Sequence, residues 1–320
     1  MTVLPEPALP SRPPETLSVS AKNVTLRAPW EMTLKTIFLL QMGFGSLANV
    51  LLFFHSISPL LFGHKQRPTD KILTHIVTAN LLVLLSSGMP HTMAAFVWRK
   101  PLSSLGCKCV YYLQRVSRST TLCSTCVLST CQFFTLIPRK VEWMMLRRRA
   151  SKFIGPSCCT CWVFGLLLNI YVPVKLTGPQ DVGNDTNIEG KWFCSSSSSF
   201  AGIVILWSFP DAAFLGVMVW SSGSMLLLLH RHHQRVQYIH TPTGHQQCPP
   251  ETRAAHTILM LVVTFVIFYV LDSTFTFYIT AFLDSRLWLM QSCNVLTSCF
   301  PSVCPFLLLL RNPRSPRICS

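Results

Sequence analysis

Apolar residues fall into seven long runs separated by shorter polar segments. The runs occupy 34–62, 72–98, 102–137, 153–174, 200–229, 254–282 and 287–310. A helix needs about 20 mostly apolar residues to cross a bilayer, and each run is long enough. The third is the most polar, with Lys108, Arg115 and Arg118 among many Ser, Thr and Cys; the seventh is short and holds Pro301 and Pro305. This pattern predicts an all-α, integral membrane bundle of seven transmembrane helices over 34–310. Residues 1–33 read as a disordered extracellular N-terminal tail, and 311–320 as a short cytoplasmic tail. Pro5, Pro7, Pro10, Pro13 and Pro14 precede Pro29 in the tail, without an apolar signal core. The first helix is therefore expected to act as its own insertion signal.

Composition supports a lipid bilayer as the solvent. Half of the 320 residues are apolar, 12% are charged, and mean hydropathy is +0.41; about a quarter of an ordinary soluble domain is charged. A disordered chain lacks this apolar content, and a soluble protein would expose too much of it. The formal net charge of +15 does not indicate a nucleic-acid partner, because total charge is too low over so much apolar sequence.

The distribution of that charge gives an orientation. Segments 63–71, 138–152, 230–253 and 311–320 together hold 15 Lys and Arg against three acids, a net of +12. The remaining connecting segments and the N-terminal tail net +3. The positive-inside bias then predicts the N-terminus outside and the C-terminus inside. Both glycosylation sequons, Asn23-Val24-Thr25 and Asn184-Asp185-Thr186, fall on the predicted outer side, the compartment where the modification occurs.

Fourteen cysteines invite a metal reading, and Cys123-x-x-Cys126 and Cys158-Cys159-x-Cys161 have suggestive spacings. Both lie in apolar helices without a matching second pair, so they read as small residues packed between helices, and no metal or other cofactor is expected. Cys107, at the outer end of helix 3, and Cys194, in the long loop before helix 5, face the oxidising side, where disulfides persist. They are the expected bridge, with Cys109 as the competing partner. Cys319 reads as a free thiol near the inner end, with palmitoylation the alternative.

An ionisable side chain at bilayer depth needs a partner or a role. Arg115 and Arg118 share a face of helix 3, Asp211 follows Pro210 on helix 5, and Asp272 lies on helix 6. At about 1.5 Å per residue, Arg115 sits roughly 12 Å below the outer surface and the other three roughly 15 Å. Two cations and two anions thus share one level. They are expected to pair between helices and to form the polar floor of an outward-facing pocket, with Phe96, Trp207, Phe268 and Tyr269 nearby. Such a pocket suits a small, largely apolar ligand with one polar handle.

Nothing resembles a catalytic set, so no enzyme activity is expected. His75 and His256 lie near inner ends, away from the acidic pair. His230, His232 and His233 belong to a basic juxtamembrane segment, although His230 and His233 are spaced to share a helix face. A small-solute transporter would be expected to show an internal repeat and interrupted helices, and seven spans do not divide evenly.

Longer strings narrow the reading. The first inner loop and helix 2 carry Arg67-Pro68-Thr69-Asp70, Ala79-Asn80-Leu81 and Ser86-Ser87-Gly88-Met89-Pro90. Helix 3 carries Arg115-Val116-Ser117-Arg118 and Cys123-Ser124-Thr125-Cys126, and Pro138 follows it. Further on come Pro156-Ser157-Cys158, Thr177-Gly178-Pro179, the run from His230 to Val236, Phe300-Pro301-Ser302 and Pro305-Phe306. Over 34–312 the chain resembles the vomeronasal type-1 receptors. The resemblance implies a G-protein-coupled chemosensory receptor of the plasma membrane, multi-pass, for small volatile or steroid-like pheromone-type ligands, signalling through a Gi/Go-type heterotrimeric G protein. It also implies the Cys107–Cys194 disulfide, glycosylation at Asn184 and the helix 3 arginines Arg115 and Arg118. Arg139, Lys140, Arg147, Arg148 and Arg149 form the expected G-protein face. A bitter-taste-type receptor has similar size, but the helix 2 and helix 3 strings differ.

The sequence departs from rhodopsin-like receptors in general. Asn80 stands where an Asp is usual in helix 2, and Thr130-Cys131-Gln132-Phe133 replaces Asp-Arg-Tyr at the inner end of helix 3. Ser119 and Phe300 stand where Gly and Tyr are common in the vomeronasal group. The usual switch residues therefore do not transfer by position.

Overall fold

The computed structural model describes residues 14–64, 68–96, 103–136, 141–177, 195–196, 201–239, 250–282 and 287–309. The described residues form seven long helices: α1 (Pro14–Leu61), α2 (Pro68–Phe96), α3 (Ser104–Leu136), α4 (Val141–Leu168), α6 (Ala201–Ile239), α7 (Pro250–Phe282) and α8 (Leu287–Leu309). A four-residue helix, α5 (Val172–Lys175), follows α4. The two-residue strands β1 (Leu176–Thr177) and β2 (Ser195–Ser196) pair antiparallel.

Helix ends follow local chemistry. Ser103 Oγ accepts the Gly106 amide at 3.1 Å and caps α3. At the end of α1, Gly63 takes a φ of 72°. Its amide donates to the Leu60 carbonyl at 3.2 Å, and His64 donates to Pro59 at 2.7 Å. These are the two bonds of a Schellman terminus, where glycine avoids the left-handed penalty.

Three boundaries differ from the sequence expectation. α1 begins at Pro14 rather than near residue 34. The prolines crowd before that point, and Pro14 takes the first helical position, where a missing amide costs nothing. α4 begins at Val141 rather than near 153, so Arg147, Arg148 and Arg149 lie on a helix instead of a loop. The stretch Met144 to Ala150 is rich in strong helix formers. α6 continues through the histidine cluster to Ile239.

Among the described residues six helices are long and apolar enough to cross a membrane: α1, α2, α6, α7 and α8, and α4 together with α5. The exception is α3, and its environment explains why. α3 lies against α2, α4, α5, α6, α7 and β1, with 15 of its 33 residues buried. A helix enclosed by other helices needs small residues for close packing and has little need of an oily face. The peripheral helices show the complement, with Phe44, Leu51, Phe209, Trp220 and Phe277 exposed on the outside of the bundle. On a membrane protein that surface meets lipid.

The remaining packing closes a ring. α1 meets α2 and α8, and α7 meets both α8 and α6. One apolar cluster runs through it, including Ile72, Leu122, Met218, Leu261, Phe265 and Phe300. Polar bonds stitch the small-residue seams. Asn169, in the turn just after α4, donates to Ser119 on α3 at 3.1 Å, Gln114 on α3 to Ser87 on α2 at 3.0 Å, and Asn49 on α1 to the Pro301 carbonyl on α8 at 2.8 Å. Trp162 on α4 bonds to His75 on α2 at 3.1 Å.

Candidate functional site

α3 brings its arginines to the centre of the bundle because its neighbours surround it. Arg118 forms an ion pair with Asp272 on α7; the side chains are 19% and 3% exposed, respectively. Thr297 on α8 donates to the other Asp272 oxygen at 2.7 Å. One carboxylate thus joins three helices, with both oxygens occupied. An isolated ion at this depth is costly, and a pair with extra hydrogen bonds is the arrangement that offsets desolvation.

A second carboxylate enters through Tyr269. Its hydroxyl donates to Asp211 on α6, while the Arg118 guanidinium lies 4.7 Å from its ring centroid, within the range of a cation–π contact. The same ring stacks on Phe265 at 5.5 Å, and Phe265 meets Phe300 edge-on at 4.5 Å. Arg115, one turn away on the same face of α3, lies within electrostatic reach of Arg118, Asp211 and Asp272. Arg118, Asp272 and Asp211 are thus linked through Tyr269 and Thr297.

Beside this cluster lies a cavity of about 40 Å³. Arg118, Asp272, Thr297 and Thr121 supply its polar lining, and Val83, Phe265, Phe268, Tyr269, Phe300 and Pro301 supply apolar walls. The space accommodates a few waters. A larger guest requires the helices to part.

Phe268 and Tyr269 line the cavity. The side chains of Phe96, Trp207 and Asn23, and those of Arg147, Arg148 and Arg149, lie outside the described residues, as do Cys194, Asn184, Arg139, Lys140 and Cys319 altogether. Cys107 is buried and disulfide-bonded, whereas the competing Cys109 is free. Cys123, Cys126, Cys158 and Cys161 are also free; three or more metal-binding side chains do not converge anywhere among the described residues. Gln234 and His230 are hydrogen-bonded on the exposed side of α6 at 3.1 Å.

Two members of the cluster are not legible in the sequence as such. Thr297 reads as an ordinary threonine of an apolar helix, and Tyr269 as a wall rather than a hydrogen-bond donor. Asn80, the helix 2 departure, is fully buried and accepts from Thr121 at 3.3 Å, so it links α2 to the cavity lining.

Residues 32–320 match the profile of the vomeronasal organ pheromone receptor family. Vomeronasal type-1 receptor 4 of Homo sapiens is 38% identical over 279 residues, covering 86% of this chain and 93% of that protein. Vomeronasal type-1 receptor 1 of Gorilla gorilla gorilla is 38% identical over 288 residues, covering 88% and 81%. A more distant relative, olfactory receptor class A-like protein 1 of Danio rerio, is 32% identical over 289 residues, covering 88% and 90%.

Proposed function

Since the chain belongs to the vomeronasal organ pheromone receptor family, a family of receptors rather than enzymes, we propose that it detects small, mostly apolar, volatile or steroid-like molecules and signals through a Gi/Go-type G protein. The family and the six apolar spans make it a multi-pass protein of the cell membrane. In the proposed topology α3 supplies the seventh span, the N-terminus lies outside and the C-terminus inside. The basic stretch of Arg139, Lys140, Arg147, Arg148 and Arg149 then meets the G protein.

The observation that carries this reading is the Arg118–Asp272–Thr297 cluster beside an apolar cavity. It supplies one polar anchor among aromatic walls, as a pocket for a small apolar ligand requires. The cavity is too small for such a ligand, so binding is coupled to movement of α7 or α8 relative to α3. A ligand that prefers the parted state shifts the population toward it. On the outer side, Cys194 closes the bridge to Cys107. The β1–β2 pairing supports this, because β1 lies against α3 and β2 starts one residue after Cys194. Asn184 and Asn23 carry glycans on the same side.

The direct test is a G-protein activation screen of the full receptor in transfected cells against a panel of volatile and steroid-like compounds. Ligand-dependent nucleotide exchange on a Gi/Go heterotrimer is expected. Flux of an applied solute through reconstituted vesicles, without exchange, would instead make it a transporter.

A further inference from the structure

Tyr269 lies between Asp211 and the Arg118–Asp272 ion pair. Its hydroxyl is bonded to Asp211 on α6 and its ring lies under Arg118 of α3. Arg118 and Asp272 are held independently, because Thr297 also binds Asp272. The Asp211 bond therefore adds little to that cluster. What it adds is a polar tie across the α6–α7 seam.

That seam is thinner than the one α7 makes with α8. Among the described residues α6 and α7 pack against each other less extensively than α7 and α8 do. α6 is also weakened at the same height, since Pro210 lies inside the helix next to Asp211. A proline removes one ladder bond and is a usual site of bending. A half-buried tie, a sparse seam and a bendable helix thus coincide.

We infer that the Tyr269–Asp211 hydrogen bond is a latch across α6 and α7, and that Tyr269 is the positioning residue through which the ligand level governs opening of that seam. This rests on the receptor reading for its signalling consequence, but the latch itself does not. A guest entering the cavity meets the Tyr269 ring, since Tyr269 lines it. Displacing the ring strains the Asp211 bond and the Arg118 contact together. Tyr269→Phe isolates the first, because it keeps the ring beneath Arg118 and removes only the hydroxyl.

The test uses the full-length receptor in lipid nanodiscs without any ligand. Noncanonical side chains replace the exposed Arg231 on α6 and His256 on α7, both at the end of the bundle remote from the latch. They carry spin labels, so the native cysteines are left alone, and their separation is measured by pulsed electron resonance. Tyr269→Phe, which removes the donor, and Asp211→Leu, which removes the acceptor, are each expected to shift the distance distribution to longer values. The double variant should match either single one, because one bond is removed in all three. An unchanged distribution, or a double-variant shift equal to the sum of the singles, overturns the latch. Thermal unfolding of each variant reports folding separately, and Tyr269→Leu, which also removes the ring, should fall further. Ligand-free nucleotide exchange on a Gi/Go heterotrimer is the second readout. It should rise roughly fivefold, as expected for the loss of one ordinary hydrogen bond. A distance shift without exchange supports the latch and refutes the signalling reading; no distance shift refutes the latch whatever the exchange shows.

Discussion

Asn49 on α1 donates its amide to the carbonyl oxygen of Pro301 on α8 at 2.8 Å, and this is an oxygen that α8 itself cannot serve. The helical partner of the Pro301 carbonyl would be the amide of residue 305, and residue 305 is a proline. In hydrocarbon an orphaned carbonyl costs several kcal/mol, and a neighbouring helix supplies the donor. Asn49 is fully buried and also donates to Gly45 at 2.7 Å.

Asn49→Ala is therefore expected to lower stability by about 1–3 kcal/mol, the cost of an unsatisfied buried group. Combined with Pro305→Ala, which restores the α8 donor, the loss should be smaller than the two single effects added. Thermal unfolding of the purified receptor in detergent measures this coupling. Strict additivity would mean that Asn49 acts through packing alone.

Breaking the central ion pair on one side should be severe. Arg118→Met strands the Asp272 carboxylate, and Asp272→Asn strands the Arg118 cation. Each is expected to cost about 3–5 kcal/mol and to lower surface expression, as read by flow cytometry of tagged receptor. The exchanged pair Arg118→Asp with Asp272→Arg should recover part of the loss. Thr297→Val removes one donor to Asp272 and should cost less than either, with Thr297→Ser close to wild type.

The α3–α4 seam should be intolerant of bulk. A Cβ placed on Gly165 would meet Thr120 Oγ1 at 3.0 Å and the Val116 backbone carbonyl at 3.1 Å. Backbone cannot move aside as a flexible side chain can, so Gly165→Val is expected to push the helices apart and cost about 1–3 kcal/mol. Gly155, with open space around its Cβ position, serves as the control. Surface expression and unfolding temperature should fall for the first and hold for the second.

Cys107→Ser should lose surface receptor, and Cys109→Ser should not, because only the former is bonded. If Cys194 is the partner, Cys194→Ser will match Cys107→Ser, and the double variant will be no worse than either. Peptide mapping without reduction identifies the bridge directly.

Much of the arrangement is legible in the sequence because the bilayer imposes strong rules. Apolar runs mark the helices, and charges at bilayer depth announce that Arg118 and Asp272 have partners. The partners that escape notice are those whose side chains have a cheaper alternative. A threonine in a helix commonly bonds back to its own i−4 carbonyl, as Thr120, Thr125 and Thr130 do here; nothing in the sequence separates Thr297, which reaches across to Asp272 instead. Tyr269 is similar, since an aromatic ring explains itself as packing until its hydroxyl is seen against Asp211. The extension of α4 back to Val141 is hidden for another reason. Its basic residues stand out in the sequence by charge alone, and charge is silent about whether the backbone is coiled or helical.

The enclosure of α3 has a consequence for how the protein is made. A polar segment that is housed by five neighbouring helices has weak affinity for lipid when it first leaves the ribosome. It is expected to remain near the protein-conducting channel until α2 is beside it and α4 has followed, and then to partition sideways as part of a group. Biogenesis of the receptor is thus expected to be cooperative at α3. Substitutions on α2 or α4 that face α3 should appear as failures of membrane insertion, well before any ligand could be offered.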